Sequence, residues 1–272
     1  IRELPAQAAA DPVIRLPASP RRLGGEFAVA EAASRLTRFF GFHHGLMRAL
    51  AGRLATLSQL DLKIEIAHHI YLHAEACRTL RERIGELRAP PPERSGKLDA
   101  LTPLFREIEA APCTPALVLA THETIGRRLL AAEINYALRT DALADEPSLR
   151  VLSRIAAELE PAVDLGGVVL AGFREAGWSS ADSEVWIQRV RAHLSALGGV
   201  TGDDRPTLAP SMAPRYLRPT VARRDPRFKL AAGANGNGGD EPGDGRPRSE
   251  HERQRLALLR SQRDRQGALL FG

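Results

Sequence analysis

Cysteine is scarce: Cys77 and Cys113 are the only two in 272 residues. Two are too few for a disulfide framework, and no Cys-x-x-Cys spacing offers a thiolate metal site, so both read as small apolar core residues. Aromatic residues make up 5% of the chain. That poverty disfavours a sheet of aromatic and β-branched strands, while the abundance of Ala, Leu, Arg and Glu favours helix. No window approaches the roughly eighteen uninterrupted apolar residues of a membrane-spanning helix. No charged-then-apolar leader resembles a secretory signal, which makes a reducing cytoplasm the expected compartment. Phosphate-loop, dinucleotide and nucleophile-elbow patterns are missing, as is any internal repeat.

What is present is a helical chain long enough to bury a core, with a formal charge of +5 that is unevenly placed. Between Arg215 and Arg265 there are thirteen Arg or Lys against seven Asp or Glu. The body is therefore close to neutral and the tail basic, which argues against a dedicated nucleic-acid-binding fold.

Proline and glycine punctuate the rest. Residues 1–25 carry Pro5, Pro12, Pro17, Pro20 and Gly24-Gly25, the composition of an extended arm. Helical periodicity follows from Glu26 to Phe40, with a break expected near Gly41, and returns from His43 to Ala55. After Pro90-Pro91-Pro92, helices are expected over Asp99–Ala110, from Ala116 to Arg139, from Asp145-Glu146-Pro147 onward and over Ser183–Leu197. Asp145 is placed to cap the helix it opens, Pro161 to kink it and Gly166-Gly167 to loosen it. Residues 26–200 thus form one helical body. Residues 201–230, rich in proline, read as an ordered strap anchored by Tyr216, Leu217 and Phe228. Residues 231–248 read as a flexible linker, and 249–272 as an Arg-rich docking helix. The apolar Leu256, Leu259, Leu269, Leu270 and Phe271 are its expected contacts, with a protein partner, with a second copy of the chain, or with the chain's own helical body.

Chemistry concentrates in the helix from Leu57 to Arg88. It runs about eight turns with Leu57, Leu60, Ile64, Ala67, Tyr71 and Ala74 as an apolar stripe. Glu65, His68, His69, His73 and Glu75 lie within three turns, and Glu65 to His68 is a Glu-x-x-His step that can bring a carboxylate and an imidazole to one metal ion. Tyr71, one turn after His68, is a candidate hydrogen-bond donor beside that ion or an ordinary core residue. His43-His44 reads as a surface pair.

Taken with Glu31 in the first helix, His122-Glu123 in the third and Glu158 in the fourth, this order resembles the ferritin-like superfamily over residues 26–172. The stretch Leu143-Ala144-Asp145-Glu146-Pro147-Ser148-Leu149-Arg150 is similar to the opening of the last helix in bacterial ferritin-like proteins. The resemblance implies an all-α, four-helix bundle and a di-iron or di-manganese site. Glu31, Glu65, His68, Glu123 and Glu158 would occupy five ligand positions. The sixth falls on Pro161, so His122, His69 or His73 would substitute, or the site would hold one metal or none. Two functions follow as expectations: a metal-dependent oxidoreductase that activates O2 or peroxide against a small organic substrate in an adjoining cavity, or a bundle without a metal that serves as a scaffold. Glu65 and His68 pointing inward is the geometry the first requires.

Overall fold

A computed structural model describes residues 25–227. The arm at 1–24 and the segment from 228 onward, which holds Phe228, the linker and the docking residues Leu256, Leu259, Leu269, Leu270 and Phe271, lie outside the described residues. Among the described residues the protein is entirely helical: α1 Val29–Leu54, α2 Leu60–Glu86, α3 Lys97–Glu109, α4 Thr114–Val118, α5 Arg127–Arg139, α6 Glu146–Glu175 and α7 Glu184–Ala196. A π-helical segment, Leu119–Gly126, joins α4 to α5. None of these helices is long and apolar enough to cross a membrane.

Each long helix is held by its buried face. α1 packs along α2, α2 on α6, α6 on α5, and α5 returns to α1. Leu36, Phe39, Phe40, Phe42, Leu46 and Leu50 of α1 are wholly enclosed, as are Ile66, Leu80 and Ile84 of α2. Gly41 does not break α1. A Cβ there would come within 2.6 Å of Leu101, and one at Gly45 within 2.0 Å of Phe105, so these glycines let α3 lie directly against the α1 backbone. α6 likewise runs through Pro161 and Gly166-Gly167 as one element.

Asp145 stands at the N-cap of α6, yet its side chain caps no amide. Its carboxylate instead accepts from Tyr136 Oη at 2.6 Å, Thr140 Oγ1 at 2.7 Å and Arg83 at 3.1 Å. Burial and this hydrogen bond push the Tyr136 phenol upward, and the network pins the ends of α2, α5 and α6 together.

Residues 201–227 cross the surface without helix or strand, held by charged side chains and peptide groups. Glu107, fully buried on α3, accepts from Arg189 Nε at 2.7 Å and from the Arg215 amide at 3.2 Å. Further along, Arg218 reaches the Gly52 carbonyl, the Arg223 amide meets the Ala55 carbonyl, and Asp225 accepts from the Leu60 amide. The expected anchor Leu217 is 94% exposed and Tyr216 40%. Apolar side chains therefore do not hold this segment; buried-carboxylate and backbone hydrogen bonds do.

Candidate functional site

α2 turns its faces differently from the expected stripe. Its buried positions are Leu62, Ile66, His69, Leu72, His73, Ala76, Cys77 and Leu80, while Ile64 is 46% and Tyr71 59% exposed. One residue of phase is about 100° on a helix. That rotation carries His68 to solvent, where its ring stacks on Tyr71, and leaves Glu65 half-exposed. Neither points into the core, and Tyr71 stands beside no interior site.

The other carboxylates carried over from the ferritin-like pattern also face outward, each paired along its own helix. Glu31 accepts from Arg35, Glu123 from Arg127 and Glu158 from Arg154, while Glu75 of the α2 cluster shares Arg78 with Glu82. Glu31, Glu65, His68, Glu123 and Glu158 do not converge. These five residues therefore do not together form the carboxylate-bridged site that the resemblance implies. Cys77 is buried, and burial pushes its thiol up to about 12, which leaves it uncharged.

Inside the bundle lies a different group. His43 of α1, His69 and His73 of α2, His122 of the π segment and Glu133 of α5 are all buried. His43 Nε2 lies 2.6 Å from Glu133 Oε1, and His43 Nδ1 lies 3.0 Å from His73 Nδ1. His69 Nδ1 lies 2.8 Å from His122 Nε2, and His122 Nδ1 lies 2.8 Å from Thr121 Oγ1. His69, His73 and His122, with Leu50, Leu159, Ala162 and Val163 among others, line one cavity of about 10 Å³. That volume suits a water-sized species and leaves no room there for the small organic substrate expected in an adjoining cavity.

Hydrogen-bond counting orients the rings. Thr121 has one hydroxyl proton, and it goes to the Leu117 carbonyl at 2.8 Å. His122 Nδ1 must then carry the proton it shares with Thr121, which makes Nε2 the acceptor for His69 Nδ1–H. A neutral His69 is left with a bare lone pair on Nε2. In the second chain a Glu133 carboxylate accepts from His43 Nε2–H. On its other side His43 Nδ1 shares a single proton with His73 Nδ1.

Burial keeps His69, His73 and His122 uncharged. Desolvation, with a smaller contribution from His122, lowers His69 to about 3 from the ordinary 6.5. Desolvation outweighs the Val118 carbonyl and brings His122 to about 4, and it holds His73 well below 6.5. The result is two neutral imidazoles, one turn apart on α2, each hydrogen-bonded to an imidazole from another helix.

Two details make room for this. A Cβ on Gly166 of α6 would stand 2.4 Å from the His122 Cβ, so only glycine admits the ring. π-helical segments such as the one that carries His122 are uncommon and frequently mark functional sites. Glu133 Oε2, by contrast, is buried with no hydrogen-bond partner among the described residues, which carries an energetic cost.

His69, His73 and His122 were legible as candidates; His43 and Glu133 were not. His43 sits among Phe39, Phe40, Phe42 and Leu46, a signal against a surface pair, and its neighbour His44 does remain half-exposed. Glu133 falls one turn from Leu129 and from Tyr136 on the buried face of α5. Among the described residues, no three His, Cys, Asp or Glu side chains converge as a metal-enclosing set. Comparison of the chain with protein-family models, with curated proteins and with solved structures finds no match.

Proposed function

We propose that the protein is a metal-dependent oxidoreductase of ferritin-like, four-helix build whose centre is the buried imidazole array, with His69 and His73 as the metal-holding pair. The observation that carries the reading is the pair of relays, Thr121–His122–His69 and Glu133–His43–His73, which orient two neutral imidazoles of one helix in an otherwise apolar core. A metal-ligating histidine usually donates its other ring N–H to an acceptor that fixes its tautomer and raises its basicity, and here an imidazole backed by Thr121 or Glu133 stands in that place. Four buried imidazoles and an unpartnered carboxylate oxygen add nothing to a helical core that leucines would not supply better.

The donor chemistry narrows the metal. Imidazole nitrogen suits iron, copper and zinc, whereas manganese prefers carboxylate and water oxygen; redox work selects iron or copper. A metal there would be held by His69 and His73 and would supply the redox capacity. The protein's own groups do the rest. Leu50, Leu159, Ala162 and Val163 exclude bulk water, and Glu133 through His43 holds the His73 ring in place.

That no trio converges among the described residues favours the other expectation, a metal-free bundle that acts as a scaffold. Elemental analysis of protein purified without chelator separates the two, followed by reconstitution with Fe(II), Cu(II), Zn(II) or Mn(II). The enzyme reading expects about one iron or copper per chain, lost in His69→Phe and His73→Phe. Protein that stays metal-free after reconstitution, or variants that bind as the native chain does, would overturn it.

A further inference from the structure

On the opposite side of the π segment from the histidines lies an open cleft of about 410 Å³, within the size range of small-molecule sites. Four guanidinium groups, of Arg127, Arg128, Arg174 and Arg191, surround it, and Glu123 is the one carboxylate in its lining. Arg127 is held by Glu123 at 2.7 Å and Asp164 at 3.1 Å. Arg191 approaches Glu184 only to 3.8 Å. Arg128 and Arg174 are exposed, and neither forms an ion pair among the described residues.

Four positive charges from three separate elements, two without counter-charge, repel one another unless something anionic joins them. Arginine is the side chain best matched to an oxyanion, because its planar fork donates two parallel hydrogen bonds. Leu119 and Leu170 give the cleft an apolar side against which the carbon part of such a ligand can lie. We propose that this cleft binds a small organic dianion, its phosphate or carboxylate oxygens between Arg128 and Arg174 and its carbon skeleton against Leu119 and Leu170.

The cleft and the histidine cavity share their walls. Gly167 faces the cleft while Gly166 faces His122, and Thr124 and Glu123 face the cleft from the segment that carries His122 inward. The proposal stands on the cleft alone and does not need a metal in the core.

Isothermal titration of the full chain in chloride buffer tests it, with phenyl phosphate and phthalate as probes and phenol as the neutral control. At least one dianion binds with a dissociation constant below about 1 mM. That affinity falls about tenfold or more in the Arg128→Gln, Arg174→Gln double variant, and phenol does not bind. Binding of phenyl phosphate alone assigns a phosphate ester, and binding of phthalate alone a carboxylate. Neither probe binding up to about 10 mM overturns the proposal, as does a double variant that binds like the native chain. Both arginines are exposed and unpaired, so far-UV dichroism of the variant matches the native spectrum, and Arg174→Gln by itself gives a second, milder series.

Discussion

Glu133 is the residue on which the array leans most, because one of its oxygens fixes the His43 ring and the other is buried without a partner. Removing the carboxylate strands His43 Nε2–H in an apolar interior. Glu133→Ala is therefore expected to destabilise the fold by about 2–3 kcal/mol in urea denaturation, despite deleting an atom that is already unsatisfied. Glu133→Gln, which can still accept from His43 through its amide oxygen, should cost less. The imidazoles add a pH dependence whose sign is fixed. His69 and His122 ionise near 6.5 when unfolded, but only near 3 and 4 when folded. Between those limits the unfolded chain binds more protons, so stability is full above pH 6.5 and is lost as pH falls toward 4. Urea midpoints recorded from pH 7.5 to 4 should decline over that window, and the decline should flatten in a His69→Leu, His122→Leu variant.

At the scale of the element, α2 shows what sequence could and could not tell. Its existence, and its length to within a few residues, followed from the long Gly- and Pro-free run, and its histidine cluster was visible as the chemical centre. Its phase was not. Ile64, Tyr71 and Ala74 on one side and Ile66, Leu72, Ala76 and Leu80 on the other both make apolar stripes, and only the packing of α1 and α6 decides between them. That choice sends His68 outward and His69 inward. The glycines misled for a related reason: Gly41 and Gly166 loosen no helix, but admit Leu101 and His122 across a helix contact that sequence does not specify, as Gly45 admits Phe105. Gly166→Ala tests this. Its Cβ would overlap the His122 ring, costing about 1–3 kcal/mol in thermal or urea unfolding and displacing His122 from His69. An alanine tolerated at no cost would mean that α6 and the π segment are less closely packed than this.

For the molecule as a whole, the all-helical class and the order of helices were legible in composition and periodicity, whereas the attachment of residues 201–227 was not. Proline-rich sequence announced an irregular strap, but its anchors are Glu107, Arg189, Arg218 and Asp225, charged residues that composition alone assigns to solvent. Glu107→Ala removes the buried acceptor shared by Arg189 and the Arg215 amide. Hydrogen exchange over 211–218 should then accelerate at least tenfold while α1 and α2 stay protected; unchanged exchange would show that the strap is held by its other contacts.

The central claim is that the core presents His69 and His73 as neutral imidazoles, His69 with a bare Nε2, ready for a metal. Long-range ¹⁵N–¹H correlation of the histidine side chains reads this directly at pH 7.5, before and after Zn(II) is added as a diamagnetic probe. The expected spectrum shows His69 and His122 protonated at Nδ1 and His73 neutral, with the Nε2 resonances of His69 and His73 moving on titration. His69 or His122 protonated at Nε2, or a spectrum that zinc leaves unchanged, would contradict the account.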